Sequence, residues 1–548
     1  MHPAIIGAGM LLRRVRHFRP VEHLARRPGD AQRDVLLQML RANSDTRFGV
    51  EHGFGAINDY AQFRARVPVQ DYETLRPYVD EQRKTGSPAL TKEPPMFYAQ
   101  TSGTTGRPKL IPVTPSMLTL QRAEQGLFSY LQYRAKPAAF AGRALAIIGA
   151  PVEGHLDSGQ PFGSVSGYLY YSLPWVVRSR FVLPPEVSAI TDYDLKYFVI
   201  LRLALAERQI TYLGSPNPST FLRLLDMLQS RREELLRSLE TGHLEALDQL
   251  DASTRRVVRM RLRKDPPRAR ELDRQPALTF ATLWPGIRLV TTWTGGSCGV
   301  ALNALRKKLP PAAAVMEIGY QSSECRGTIA LEAESPGGLP PLHHHFFEFV
   351  DPVSWEAGTP EFLTLDRLEL GRRYYVLLTT VAGLYRYFMN DVVEVTGFFH
   401  RTPLIRFVQK GRGVTSLTGE KLYEAQVIEA VHAVAGRNGL IASFYLLVAD
   451  DDPAGYRLYL EWDDNVRPDA RRFAVAVDAR LGELNVEYHG KRASGRLAML
   501  QVAWLTHGTA QAYKAACVQA GQREGQFKPP VVLYRKDLAL EIDDHVIR

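Results

Sequence analysis

The sequence predicts an α/β fold with a large amino-terminal domain and a small carboxyl-terminal α+β domain. Three observations predict it: strand and helix patterns alternate up to about residue 320, short strands follow from about residue 342, and helices mix with strands beyond residue 411. A chain of 548 residues, 45% of them hydrophobic, is too long for one core and long enough for at least two.

Apolar residues recur at helical spacing over 32–40, and Pro68, Pro77, Pro94 and Pro95 then punctuate a connecting stretch. A long apolar helix is expected over 192–205, a strand over 210–213, and a helix opened by Asn217-Pro218. A strand over 287–292, glycines, a helix through Leu305 and a strand over 314–318 complete the order that builds a parallel sheet. Short strands over 346–350, 374–379, 392–397 and 404–408 predict an antiparallel, barrel-like subdomain. Gly411-Arg412-Gly413 has the composition of a hinge. Beyond it helices are expected over 424–434, 469–484 and 510–520, with strands over 443–448, 456–462 and 500–505. The expected domains are therefore 1–410 and 411–548.

The net charge is +10 and the pI about 9.3, but the excess is arginine spread along the whole chain. Its densest stretch, Arg255 to Arg270, has the pattern of a solvated helix face running into a break at Pro266-Pro267. Without interleaved aromatics or a nucleic-acid module, no nucleic-acid partner is expected. Three cysteines, Cys298, Cys325 and Cys517, share no metal-type spacing and fit a reducing compartment, so a cytoplasmic protein is expected. No stretch approaches the ~20 apolar residues needed to span a bilayer, and no membrane association is expected. Ile5-Ile6-Gly7-Ala8-Gly9 imitates the start of a dinucleotide fingerprint, but Leu12 stands where its third glycine belongs.

The run Thr101-Ser102-Gly103-Thr104-Thr105-Gly106-Arg107-Pro108-Lys109 carries the chemistry of a phosphate loop. Ser102, Thr104 and Thr105 supply hydroxyl donors, Gly103 and Gly106 let backbone amides turn inward, and Lys109 adds a point charge. Arg107-Pro108 between Gly106 and Lys109 excludes a Walker loop. Tyr320-Gln321-Ser322-Ser323-Glu324 follows an expected strand, where an open α/β sheet places ligand groups. There Tyr320 can stack on adenine, Ser323 can bond a phosphate, and Glu324 can hold a Mg²⁺ ion that bridges phosphate oxygens. Asp391 closes the string Leu384-Tyr385-Arg386-Tyr387-Phe388-Met389-Asn390-Asp391 and can accept both ribose hydroxyls.

Gly295-Gly296-Ser297-Cys298-Gly299 fits both a glycine-rich loop lying against adenine and a nucleophile elbow, which would make Ser297 the nucleophile of a serine hydrolase. His343, His344 and His345 invite a metal reading, yet neighbouring residues of a strand point to opposite faces and cannot all ligate one ion.

Taken in order, the phosphate loop, Tyr-x-Ser-Ser-Glu and Gly-Leu-Tyr-Arg-Tyr-x-x-x-Asp resemble the Gretchen Hagen acyl acid amido synthetase family within the adenylate-forming superfamily. The likeness runs over nearly the whole chain, including Thr46-Arg47-Phe48-Gly49, Phe346-Phe347-Glu348-Phe349, Gly419-Glu420-Lys421 and Gln526-Phe527-Lys528-Pro529. It implies a two-step reaction in which Mg·ATP and a carboxylic acid give an acyl-adenylate and an amino acid amine then displaces AMP. It also implies that Ser102 to Gly106 with Lys109 hold the triphosphate, and that Gly295, Gly296 and Tyr320, beside Gln321 and Ser323, hold adenine and phosphate. Glu324 would hold magnesium and Asp391 the ribose, while Lys528 and Lys421 reach in from a mobile small domain. The chain departs from the family pattern at Arg107-Pro108, at Asn390 where glycine is usual, and at Gln409-Lys410 near the hinge. Those departures leave room for a thiol acceptor, that is, for an acyl-CoA ligase.

Overall fold

The computed structural model describes residues 3–547 apart from 102–108, 297, 412–413, 419, 452–453, 463–466, 523 and 525–526. The chain forms two compact units, one of residues 1–216, 224–293 and 309–406, the other of residues 217–223, 294–308 and 407–548.

In the first unit the anticipated strand and helix alternation yields a parallel sheet ordered Arg143–Ala146, Ile210–Gly214, Leu289–Thr292, Ala314–Glu317. The last two strands are buried along their whole length, as a sheet covered on both faces requires. Helix Tyr193–Leu205 begins where Asp192 accepts a hydrogen bond from the Leu195 amide at 2.8 Å, and from Leu195 onward nearly every residue is buried. Its one buried cation, Arg202, donates to the Ser238 hydroxyl at 2.8 Å and to the Arg263 carbonyl at 2.9 Å.

A second sheet pairs Phe97–Thr101 antiparallel with Lys109–Val113, with Thr101 and Lys109 as register partners, so both ends of the 102–108 segment are fixed. The Tyr72 hydroxyl grips the second strand from the side, accepting from the Leu110 amide at 2.7 Å. From that strand the chain passes into helix Pro115–Ala135, started by a Thr114 cap and Pro115 at its first position.

The third sheet has seven strands whose described pairings are antiparallel, ordered Phe362–Thr364, His345–Val350, Arg373–Thr380, Tyr387–Phe399, Thr402–Lys410, Gly338–Leu339, Ile329–Ala330. Its long strand starts at Tyr387, earlier than the alternation at 392–397 suggests, because the pairing is interrupted there. Leu377 faces Phe388 but Tyr375 faces Val392 rather than residue 390, so the long strand carries two extra residues in a bulge at 389–391. Asn390 sits in it with φ +53°. Asparagine is the side chain that tolerates this left-handed region best after glycine, which explains how it stands where glycine is usual.

Just before the bulge, Arg386 is buried against Glu348, its Nε 3.0 and 3.1 Å from the two carboxylate oxygens. Tyr60 donates to the same carboxylate at 3.0 Å, and an Arg386 amine donates to the Val67 carbonyl at 2.8 Å. Tyr385 stacks on Phe48 with 4.9 Å between ring centroids and donates to the Leu90 carbonyl at 2.8 Å. The string thus ties residues 46–90 to the edge of the site.

The arginine-rich stretch is not one solvated face. Helix Ala252–Arg261 ends before Pro266, which starts a new helix, Pro266–Asp273, capped by Asp265. Arg268 in this helix is buried and donates to the Leu205 and Leu283 carbonyls, because a guanidinium is the group that can close several loose helix ends at once. Among the described residues no helix is long and apolar enough to cross a membrane.

The second unit is α+β: a sheet ordered Gln501–Trp504, Ala454–Trp462, Ala442–Asp451, Val532–Tyr534, with parallel outer pairings around a central antiparallel pair. Helices Glu424–Arg437 and Ala470–Leu484 contribute Val427, Val431, Phe473, Val477 and Leu481 to a core on one face of this sheet, and Tyr513 of helix Thr509–Gln519 joins a second core on the other.

Two substitutions test these constraints. Arg386→Ala leaves Glu348 buried and uncompensated and is expected to cost about 3–5 kcal/mol, read by chemical denaturation. At Asn390, Gly should be tolerated and Val should cost about 1–2 kcal/mol; equal stability of the two would rule out the left-handed bulge.

Candidate active site

In the first unit, strand Ala314–Glu317 leads into a tight turn. The Ser322 amide donates to the Cys325 carbonyl at 2.9 Å, and Gln321 bridges Arg326, which puts Ser323 and Glu324 at the turn's tip. Gln321 itself donates to the Ile318 carbonyl at 3.2 Å, bracing the turn rather than extending from it. Two glycines make the turn possible. Gly319 has φ +108°, and a Cβ there would lie 2.1 Å from the Thr328 carbonyl oxygen. A Cβ at Gly327 would lie 2.3 Å from the Tyr320 ring, so that ring packs directly on the glycine.

The Tyr320 hydroxyl donates to Asp391 Oδ2 at 2.5 Å, and both residues are buried. Burial and the Asp391 charge push the phenol well above its ordinary value, so it stays protonated and keeps donating. The turn and the bulge of the antiparallel sheet are thereby joined by one hydrogen bond.

Tyr387, four residues before Asp391, lies between these carboxylates and the end of the loop. Lys109 Nζ donates to the Tyr387 hydroxyl at 3.3 Å and stands 5.8 and 5.9 Å from the Tyr72 and Tyr387 ring centres. Burial raises the Tyr387 phenol first and the Glu324 charge second, with Asp391 adding a smaller push, so this hydroxyl is also neutral across the physiological range. Lys109, Tyr387, Glu324, Asp391 and Tyr320 therefore form one cluster in which a cation, two carboxylates and two neutral phenols share a small volume. Tyr387 stands in its string with no expected role, and nothing in the sequence separates it from its buried neighbours Tyr385 and Arg386. Tyr72 has no sequence signal that separates it from a core tyrosine.

Tyr168 lies on helix Val165–Tyr171 with its ring 5.2 Å from that of Phe97, the first residue of strand Phe97–Thr101. Ser166 bonds Ser164 at 2.8 Å, and the Trp293 amide donates to the Pro216 carbonyl at 2.8 Å.

The remaining predicted residues belong to the second unit. A Cβ at Gly295 would lie 3.1 Å from the Phe407 carbonyl oxygen, and one at Gly296, where φ is +57°, 3.3 Å from the Phe407 ring. Lys528 Nζ stands over the same ring at 4.8 Å, and the Phe527 carbonyl beside it accepts from Asn217 at 2.6 Å. Both glycines and Lys528 thus lie against one residue, Phe407. Lys421 is exposed with φ +42°, next to Glu420, a buried carboxylate that accepts from the Leu417 and Thr418 amides at 2.7 and 2.8 Å. Ser102, Gly103, Thr104, Thr105 and Gly106, together with Ser297, lie outside the described residues, as do Arg412 and Gly413 of the expected hinge.

Of the histidine triplet only His345 belongs to a strand. Among the described residues no group of three or more His, Cys, Asp or Glu is arranged to hold a metal ion. A magnesium ion that rides in on phosphate needs only one or two protein carboxylates, and Glu324 at the tip of its turn, near Tyr387, fits that demand.

Comparison with known proteins agrees with this architecture. Family models described as the GH3 family N-terminal, central and C-terminal domains match residues 18–313, 339–410 and 425–537. The chain is similar to the indole-3-acetic acid-amido synthetase GH3.8 of Oryza sativa subsp. indica, 26% identical over 572 residues that span 97% of this chain and 93% of that protein. The indole-3-acetic acid-amido synthetase GH3.3 of Arabidopsis thaliana is 24% identical, over 94% of this chain and 91% of its own. Among solved structures, AtGH3.15 acyl acid amido synthetase in complex with 2,4-DB superposes with a TM-score of 0.85 at 21% identity, covering 100% of this chain and 97% of that one. A 2-hydroxyisobutyryl-CoA ligase shares the fold at a TM-score of 0.56 and 11% identity over 93% of this chain and 90% of that one. With its three domains matched in order, the chain belongs to the GH3 family.

Proposed function

We propose that this protein is an ATP-dependent, acyl-adenylate-forming ligase that joins a small carboxylic acid to the amine of an amino acid. The observation that carries this reading is the cluster of Lys109, Tyr387, Glu324, Tyr320 and Asp391 at the end of the 102–108 loop, in a chain whose relatives are amido synthetases.

A carboxylate is a poor electrophile, and the first step makes it a better one. Its oxygen bonds to the α-phosphorus of ATP, the bond from that phosphorus to the bridging oxygen breaks, and pyrophosphate leaves. In the second step the amine nitrogen bonds to the acyl carbon, the carbon–oxygen bond to AMP breaks, and the nitrogen gives up a proton. Neither step needs covalent help from a side chain, so the protein's contribution is positioning and charge stabilisation.

Ser102 to Gly106 hold the triphosphate by backbone and hydroxyl donors. Lys109, steadied by Tyr387, places its charge where negative charge builds on the α-phosphate. Glu324 would hold a Mg²⁺ ion arriving with the nucleotide, whose charge would offset that of the phosphate oxygens. Asp391, oriented by Tyr320, accepts the ribose hydroxyls, and the Tyr320 ring takes adenine. Gln321 and Ser323 shape and line the phosphate side of the turn. Lys528 and Lys421, both within the small domain of residues 411–548 that the sequence suggests, supply positive charge for phosphate.

Acid-dependent exchange of radiolabelled pyrophosphate into ATP tests the first step. It should appear with at least one member of an aryl and aliphatic acid panel. Lys109→Ala and Glu324→Ala should each lower it by about 10²-fold or more while circular dichroism stays unchanged. Product analysis with amino acids or coenzyme A as acceptor should give the amide; turnover with coenzyme A alone would reassign the second step.

A further inference from the structure

Helix Pro3–Arg13 has no polar side chain from Pro3 to Leu12, yet it lies on the surface of the first unit. Ile6 and Met10 face inward, and a Cβ at Gly7 would lie 3.8 Å from the Tyr133 hydroxyl oxygen, so one side of the helix rests on helix Pro115–Ala135. The other side carries Ile5, Ala8 and Leu12, spaced i, i+3 and i+7, with Leu11 beside them, and Val15 follows in the π-helical turn Arg14–Phe18. Ile5, Leu11, Leu12 and Val15 are 61%, 59%, 64% and 48% exposed. A surface helix ordinarily turns polar residues outward, and one that is apolar all round is covered all round. Here the described residues cover only the inner side.

The exposed stripe runs into positive charge. Arg14, Arg16 and Arg19 are exposed, and between residues 3 and 27 six arginines stand against one carboxylate, Glu22, which lies 3.8 Å from His400 Nε2. Phe18 anchors this end of the segment: it is buried, with its ring 5.4 Å from that of Tyr130 and the Arg134 guanidinium 5.1 Å above it. The arginines are therefore presented on a fixed segment, beside the apolar stripe.

Aliphatic side chains to bury, next to a row of guanidiniums without carboxylates, match an anionic lipid surface, where the acyl-chain boundary takes the stripe and the phosphates take the arginines. A second copy laid along the same stripe would bring the same carboxylate-free segment against it and leave the arginines unneutralised. The helix has 11 residues and is about 16 Å long, too short to cross a hydrocarbon layer of about 30 Å, so it can only lie in the plane of the surface.

We propose that residues 3–19 dock this protein peripherally on an anionic bilayer, with Ile5, Leu11, Leu12 and Val15 in the acyl-chain boundary and Arg14, Arg16 and Arg19 on headgroup phosphates. The docking is independent of the ligase reading above. Flotation of the full chain with vesicles of phosphatidylcholine alone, or of phosphatidylcholine mixed equally with phosphatidylglycerol, tests it. The protein should float with the mixed vesicles and not with phosphatidylcholine alone, and high salt should weaken the association. Leu12→Glu should lower the apparent affinity about tenfold or more, and Arg16→Gln about fivefold. Both positions are exposed, so thermal melting followed by circular dichroism should match the unmodified protein. Failure to float with the mixed vesicles, equal flotation with both compositions, or flotation that Leu12→Glu leaves intact overturns the proposal. A dimer in sedimentation equilibrium that Leu12→Glu dissolves, without flotation, assigns the stripe to a second copy and overturns it as well.

Discussion

The hydrogen bond from Tyr320 to Asp391 is the constraint on which the site depends. It joins a turn at the end of the parallel sheet to a bulge in the antiparallel one, so two separately folded layers present their functional groups in one register. Burying an aspartate is unfavourable unless the charge is bonded, and the phenol supplies that bond with a proton it does not lose near neutral pH. The requirement propagates backwards into the sequence. Tyr320 reaches Asp391 only because Gly327 has no side chain under its ring, and the turn forms only because Gly319 can adopt φ +108° against the Thr328 backbone.

Support for the bulge comes from buried residues just before it. Within the string 384–391, Tyr385 and Arg386 face inward, the one stacked on Phe48 and the other paired with Glu348, while Tyr387 and Asp391 face the loop end and the turn. One short string thus both anchors the sheet and supplies the Tyr387 and Asp391 contacts. The same division appears in the other unit, where Gly295 and Gly296 give room to Phe407 and Lys528 lies on the same ring.

The alternation of strands and helices was legible because apolar runs bounded by Gly, Pro and Asn carry the period of each element; the parallel sheet and helix Tyr193–Leu205 appear where those signals stand. Glu324 and Asp391 stand out in the sequence only by the strings around them; that Tyr387 lies near both and Tyr320 bonds Asp391 is a property of the fold. Helix Pro115–Ala135 escaped notice although Thr114-Pro115 marks its start, since Gln, Ser and Gly interrupt its apolar face. Arg268 read as solvated because charge patterning says nothing about which carbonyls a guanidinium will close. A buried hydrogen bond between Glu124 and His344 is invisible in sequence for a different reason: its partners are 220 residues apart, and only the fold makes them neighbours.

If the joined turn and bulge form the nucleotide site, the most direct measurement is calorimetric titration with α,β-methylene ATP and magnesium, comparing the unmodified protein with Asp391→Asn. The substitution keeps the size of the side chain and removes the charge that accepts ribose hydroxyls. The expected result is one site per chain in the unmodified protein and affinity at least about tenfold weaker in the variant. Equal affinity in both proteins, or no uptake by either, would contradict the account.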